Sequence, residues 1–481
     1  MVEKAIHYAD MPKTDIKWCT VTLSDVIRAG KRLEAAVFDI RGKHAREVVT
    51  NCKWDNVPLC GENGFATAYV GGRFKRIWLN KSDLPIYQPS SITDVYPTPD
   101  GYLSKITKTN FDNLRVHDGQ ILVSCSGTIG KVSFVSKTLN KQIFSHDLLR
   151  INANNVTDAG FIYAYLRSST GNTILQTNNY GAVIQHIEPE HLADVPVPNP
   201  TDEIKCRVSD LIHRSFELRD QSNEFIDKAT EMLIAELKLP PINNFKTEQF
   251  DESTDVINYT VKLSELAGRI DGSYHIPIVK AIIKHLRNHA SEVTYVGDKR
   301  VSEDIILPGR FKRVYVEEGQ GRVFIGGKQL LELDPVGKKY LSLVHHGDRI
   351  KKQLELNENM TLITCSGTIG KVSLVPRHWE HWSASQHIIR VVPANNDIAG
   401  YICVFLATDY GRELITRFTY GSVVDEIDNR HVFQIPFPLL KSADVQAEIN
   451  HLALHANELR YQAYQVEQEA LTVMNDEVLF T

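Results

Sequence analysis

The nonapeptide CSGTIGKVS at Cys125–Ser133 returns unchanged at Cys365–Ser373, 240 positions further on. The match spreads outward from both copies at that offset. Arg150 meets Arg390, Gly160 meets Gly400, Gly171 meets Gly411, and Tyr180-Gly181 meets Tyr420-Gly421. Further along, Ile187 meets Ile427, His191 meets His431, and Pro196 and Pro198 meet Pro436 and Pro438. Upstream, Thr20-Val21 and Leu23-Ser24 meet Thr260-Val261 and Leu263-Ser264, and RFKR at Arg73–Arg76 meets Arg310–Arg313 at an offset of 237. The chain is a tandem duplication of one unit of about 240 residues. Solenoid repeats run to roughly 20–50 residues, so a period this long means two similar domains.

Each unit reads as two parts. The first mixes short β-type runs with turns. Gln120–Ser124 and Met360–Thr364 are expected as buried strands, followed by strands at Lys131–Val135 and Lys371–Val375. SGTIG between them is turn chemistry, because Gly127 and Gly130 accept positive φ while Ser and Thr bond nearby backbone. Short helices are expected to start at Gly160–Leu166 and Gly400–Leu406. VPVPNP and IPFPLL are expected to break regular structure, since proline removes a donor and restrains its predecessor.

The second part is a long helix. After Thr201-Asp202, small or apolar residues recur in alternating steps of three and four. They are Ile204, Val208, Leu211, Ser215, Leu218, Ser222, Phe225, Ala229 and Met232. Shifted by 241, the series is Val445, Ile449, Leu452, Ala456, Leu459, Ala463, Val466, Ala470 and Val473. A seam kept over several heptads predicts that the two helices pack on each other as an antiparallel coiled coil, with a domain at each end of a rigid rod.

The expected fold class is α+β, with two tandem mixed α/β domains each followed by a long helix. The boundaries are an N-terminal extension 1–19, a first domain 20–200, a helix 201–239, a linker 240–257, a second domain 258–440 and a helix 441–481. The polar, proline-led run from Pro240-Pro241 to Asp255 is the expected connector.

Composition excludes several classes. No apolar run approaches the roughly 18–20 residues of a membrane span, and no signal peptide is recognisable. The seven cysteines are scattered and never in CxxC spacing, which suggests neither a disulfide framework nor a zinc ribbon. A reduced, cytoplasmic protein is expected. The net charge of −5 argues mildly against a bare polyanion as partner. The acidity lies partly on the first long helix, however, while the first domain counts slightly basic.

Catalytic motifs are thin. A phosphate-binding loop would need glycine where Cys125 and Cys365 stand, and Ser or Thr where valine follows Lys131 and Lys371. GxSxG and HExxH are absent. HWEHW at His378–Trp382 has no counterpart in the first copy, and no methyltransferase tetrapeptide or nuclease centre is present. The chain reads as a binder.

A strand, SGTIGKV, a strand with the pattern I/L-x-R, a short helix, Tyr-Gly and alternating prolines before a long helix resemble one half of a type I restriction–modification specificity subunit. Two such halves resemble that family's whole layout. Arg269-Ile270-Asp271-Gly272, echoed by Arg32-Leu33-Glu34-Ala35, stands where members often carry an Arg-apolar-Asp-Ala segment. Members usually carry glutamine near the start of each long helix. Gln446 fits this, whereas the first helix has Lys205.

The resemblance implies a non-catalytic subunit that reads a bipartite double-stranded DNA site, one target-recognition domain per half. It implies methyltransferase and restriction/translocase subunits as partners. S-adenosylmethionine, ATP and Mg would then sit on those partners, with no cofactor or metal on this chain. Loops that differ between the copies, such as LNKSDLPIYQPS against VEEGQGRVFIGG, are where specificity would reside. Candidate DNA contacts are Arg73, Lys75 and Arg76, and their mates Arg310, Lys312 and Arg313, because arginine and lysine suit guanine edges or phosphate. A solvated cationic surface explains the same residues equally well. Lys131, Lys371, Tyr180, Tyr420 and Gln185 complete the candidate set, with His186, Asp425 and Glu426 in the same loops. A structural turn explains SGTIG at least as well as a phosphate contact. A rival from another class is a protein-recognition scaffold that clamps a partner between two paralogous domains. A nuclease or methyltransferase fused to its own reader is a third reading, disfavoured by the missing motifs.

Overall fold

The computed structural model describes residues 20–28, 33, 35–79, 81–178, 186–249, 258–266 and 268–481. The segment 1–19, Arg32, Glu34, Tyr180 and Gln185 lie outside them.

The two copies share one plan. In the first, an antiparallel sheet runs in the order Ala66–Val70, Leu148–Ala153, Ile121–Ser124, Val132–Phe134. In the second the order is Ser302–Ile306, Ile388–Pro393, Thr361–Thr364, Val372–Leu374. The repeated nonapeptide thus links two adjacent strands in each copy. Ile121–Ser124 and Thr361–Thr364 are buried along their whole length, which is why they read as continuous apolar runs rather than alternating ones. A smaller sheet stands beside each. It is ordered Trp78–Leu79, Gly101–Leu103, Pro85–Tyr87, Ile143–Phe144 in the first copy, and Tyr315–Val316, Lys339–Ser342, Gly321–Ile325, Ser383–Ala384 in the second. Helices Val156–Arg167 and Asn396–Ala407 pack on the main sheets, each capped by an asparagine (Asn155, Asn395) whose side chain accepts from the first-turn backbone.

The proline runs behave differently from expectation. Pro196–Pro198 and Pro436–Leu439 are strands, paired antiparallel with Asn56–Pro58 and Glu292–Tyr295. Each belongs to a two-stranded ribbon, so a residue lacking N–H can sit where the ladder asks for no donor. Ladder bonds flank them instead: Leu59 N donates to Val195 O at 2.8 Å, and Asn199 N to Asp55 O at 2.8 Å. The connector also differs. It holds a helix, Ile242–Gln249, with Phe245 buried edge-on against His285 and Tyr410.

The long helices span Asp202–Glu236 and Ala443–Val473. They lie side by side and antiparallel. Ser215 Oγ donates to Ala463 O at 2.8 Å, Arg460 Nε to Ser222 Oγ at 3.4 Å, and Ser442 N to Glu236 Oε1 at 3.4 Å, so partners fall in number as the first helix rises. Ser215, Ser222, Ala229, Ala456, Ala463 and Ala470 are all buried, and their small side chains permit the close approach. Ile204 and Leu211 are half-buried and pack against the first copy's core, as Phe225 and Met232 do against the second's. Near the helix starts, Gln446 Oε1 accepts from Leu440 N at 3.0 Å, whereas Lys205 pairs with Asp202 at 2.9 Å.

The domains are not held apart at the ends of this rod; they touch at its middle. Asp94 and Glu332, which occupy equivalent places in ITDVYP and LLELDP, form an antiparallel bridge to each other, and Val95 N donates to Leu331 O at 2.9 Å. A pair of equivalent residues meeting each other is what a local twofold axis requires. Other contacts repeat across it. Tyr96 bonds Asp227 on the first helix, while Asp334 accepts from Gln468 on the second at 3.2 Å. Leu218, Leu459, Leu333 and Ala463 bury a small core at that axis, with Val95 packed against it.

The copies also exchange tails. Leu237, Leu239 and Phe245 from the first half enter the second copy's core. Met474, Val478 and Leu479 from the end of the chain enter the first copy's core, where Trp54 Nε1 donates to Glu477 O at 2.9 Å. Among the described residues no helix is long and apolar enough to cross a membrane.

Candidate nucleic-acid interface

The RFKR segments are built alike. Phe74 and Phe311 turn inward against the cores under the smaller sheets. Arg73, Lys75, Arg310 and Lys312 are exposed, while Arg76 and Arg313 are half-buried. Alternation along an extended chain sends the phenylalanine in and its neighbours out. Each inner arginine stacks on rings, Arg76 6.0 Å from the centroids of Phe74 and Trp78, and Arg313 5.4 Å from that of Phe324. The Nε of both is buried without a hydrogen-bond partner. Trp78 is 49% exposed, so copy one offers an open aromatic face beside its cations.

Behind each cluster lies the segment that leads into the I/L-x-R strand. Arg313 donates to Gln386 Oε1 at 2.7 Å, and His146 occupies the equivalent place in the first copy. Burial lowers the His146 pKa, with Arg76 and Arg73 adding to the effect and Asp147 opposing it. Burial likewise lowers His387, helped by Arg313 and Arg310. Both rings are therefore neutral at physiological pH, able to donate and accept at once. Sequence reasoning missed His146, Gln386 and His387. The available signal was their position, three or four residues before the paired Arg150 and Arg390.

Those two arginines are fully buried and serve the scaffold. Arg150 donates to Leu148 O and Leu114 O at 3.0 Å and to Phe144 O at 3.2 Å, and Arg390 donates to Ala384 O. Desolvation lowers both, Arg390 to about 10, so each remains charged.

The SGTIG turns are docking elements. Gly127 and Gly130, like Gly367 and Gly370, have φ between 72° and 91°. Lys131 N donates to Ser124 Oγ and Lys371 N to Thr364 Oγ1, both at 3.0 Å. Each turn then pairs with the loop after the second short helix. Ser126 bridges His186, Ser366 bridges Glu426, and Gly367 N donates to Asp425 O at 2.9 Å. Ile187 N and Ile427 N donate to Cys125 O and Cys365 O at 3.0 Å. Burial pushes Cys125 up to about 11 and Cys365 to about 12, which leaves neither thiol nucleophilic.

The structure brings Arg310, Glu426, Tyr420, Arg313 and Gln386 into one surface in the second copy. Arg310 pairs with Glu426 at 2.8 Å, and Glu426 exchanges backbone bonds with Tyr420. Tyr420 is 44% exposed, and Asp425 is exposed. Lys131 is placed elsewhere. Its Nζ donates to Glu332 Oε1 at 2.7 Å, Ser90 O at 2.9 Å and Thr93 Oγ1 at 3.2 Å, so it joins the two copies. Lys371 lies half-buried near Asp94 in the mirror position. HWEHW packs rather than ligates. His378 stacks 4.0 Å from Tyr464 and bonds Leu333 O at 2.8 Å, and burial lowers its pKa to about 4.

No family model and no curated protein matches this chain. Several solved structures do. The S subunit of a type I restriction–modification system from M. genitalium aligns at 14% identity and a TM-score of 0.28, covering 89% of this chain and 96% of its own. The HsdS subunit from Thermoanaerobacter tengcongensis aligns at 14% identity and a TM-score of 0.27, covering 87% and 98%. A structure described as the basis of complex assembly and conformational transition of the type I R-M system aligns at 15% identity and a TM-score of 0.27, covering 88% and 96%.

Proposed function

We propose that the chain is the DNA-sequence specificity subunit of a type I restriction–modification complex. Each copy reads one half of a bipartite site, and the helix pair with the axial contact sets the distance between them. The observation that carries this reading is the duplication. Two equivalent cationic clusters, RFKR, stand on one framework related by a local twofold axis, and the loops beside them have diverged. One framework used twice supplies two readers in fixed register, and unlike loops let each prefer different bases.

In this reading the positioning contacts come from Arg73, Lys75, Arg310 and Lys312. Arg76, Arg313, Tyr420, Gln386 and the loops holding His186 and Asp425 lie where bases would be discriminated. Tyr180 and Gln185 belong to the first copy's loop by sequence equivalence. Lys131 and Lys371 act on the axis and hold the readers together. Methyl transfer and DNA cleavage belong to partner subunits, which bring S-adenosylmethionine, ATP and Mg, and which dock on the long helices. The site of action is the cytoplasm.

Methylome sequencing of the host with and without the gene tests this reading. One split adenine-methylation motif should lose its mark in the deletion strain. An unchanged methylome, or methyl transfer by the purified chain alone, overturns it.

A further inference from the structure

The copies part company beside the helix pair. In the first, Glu467 is fully buried and accepts from the Tyr163 hydroxyl at 2.8 Å, from Arg167 Nε at 3.1 Å and from Arg219. The residues equivalent by position in the second copy are Ile226 for Glu467, Cys403 for Tyr163, Ala407 for Arg167 and Arg460 for Arg219. Three of the four have lost their polar reach, and the arginine alone is kept. All four of these second-copy residues line one cavity of about 510 Å³.

Arg460 is half-buried in the cavity wall, and its one hydrogen bond among the described residues is from Nε to Ser222 Oγ at 3.4 Å. No carboxylate among the described residues pairs with it. A guanidinium keeps its proton, so Arg460 presents to the cavity a positive charge with no carboxylate partner among the described residues. Elsewhere the walls are largely apolar, with Leu374, Trp379 and Val404 among them; Lys81, Lys371 and Arg412 add positive charge, and Glu332 and Asp409 add negative charge. The volume is that of a small-molecule site, and largely apolar walls with a few placed polar groups are the usual makeup of such a site. Both copies contribute, through Val95 and Tyr96 on one side and Leu330 and Leu333 on the other.

We propose that this cavity binds an apolar small molecule bearing one carboxylate, which pairs with Arg460 as Glu467 pairs with Arg219. The ligand fills the space that Tyr163 and Arg167 occupy in the first copy. Because the wall spans both copies, the ligand also fastens the axial contact. This inference is independent of what the chain reads.

The test uses the full chain with decanoate and 4-phenylbenzoate as probes and decan-1-ol as the uncharged control. Calorimetry should find one equivalent of at least one acid, with decan-1-ol at least tenfold weaker, and the bound acid should raise Tm by several degrees. Arg460→Met should weaken binding at least tenfold. Ile226→Glu, which restores the internal carboxylate, should raise the Tm of the free chain and abolish binding. If Arg460→Met does not fold, Ala407→Phe fills the cavity and should abolish binding by itself. Equal binding of decan-1-ol, undiminished binding by Ile226→Glu, or failure of both acids to bind overturns the proposal.

Discussion

The first copy closes its flank of the helix pair with a buried ion cluster, and the second leaves that flank as a lined cavity. Much that sets backbone course is shared between them: the sheet orders, the SGTIG turns, the buried Arg150 and Arg390, and the small residues of the seam. What differs is side-chain chemistry that the framework does not require. A duplicated fold therefore preserves the contacts that define its shape and is free to change what those contacts surround.

The largest expected effect breaks the first flank. Burial opposes the charge of Glu467, but Arg219 and Arg167, with the Tyr163 hydroxyl, hold its pKa down to about 2. Glu467→Gln leaves the Arg219 guanidinium without its carboxylate and Arg167 with Asp334 alone, and should cost about 3–5 kcal/mol. Ile226→Val at the equivalent place should cost only about 0.5–1.5 kcal/mol. Urea midpoints of the two variants make the comparison, and equal losses would refute the asymmetry.

The next effect separates the axis from that flank by pH. Burial raises Asp94 to about 7, with Lys371 and Lys131 opposing and Glu332 adding to the rise. A carboxyl raised on folding favours the folded state when protonated, so its contribution is lost as pH climbs from about 4 to about 7, at up to ~1.4 kcal/mol per unit. Glu467 has the opposite sign, and its stabilisation fades only as pH falls from about 4.5 toward about 2. Asp94→Asn should therefore come closest to the parent chain near pH 4 and exceed it by a growing margin toward pH 8, as unfolding midpoints at the two values would show.

Smaller still are the effects on recognition. Arg76→Ala and Arg313→Ala should each cost about 1–3 kcal/mol of DNA affinity in the assembled complex and relax base preference in one half-site only. Lys75→Ala and Lys312→Ala should weaken all sequences alike and lower the salt slope by about 1. Binding titrations on sites mutated in one half at a time distinguish the four. Loss of preference in both halves from a single arginine variant would break the assignment of one reader per copy.

Much of this was legible beforehand, for a physical reason. Exact repetition reports the backbone directly, so CSGTIGKVS, the strands around it and the helix seam could be placed from residues alone. Proline statistics misled at VPVPNP and IPFPLL, because they describe central strands and these ribbons are all edge. Asp94 and Glu332 were invisible, since a contact on a twofold axis leaves no periodic trace in either copy. For Lys131 the sequence left a phosphate contact and a structural turn both open. Its partner Glu332 lies 201 positions away, beyond the reach of any local pattern.

The swapped tails make the molecule a woven pair. Each half of the chain completes the hydrophobic interior of the other, so neither half owns a finished core. Severing the backbone between residues 250 and 257 would leave two fragments still interlocked through buried surface, and either fragment produced by itself would be missing one wall. Evolution or an engineer can therefore exchange one half for another only if the incoming tail fits the interior it is sent to fill.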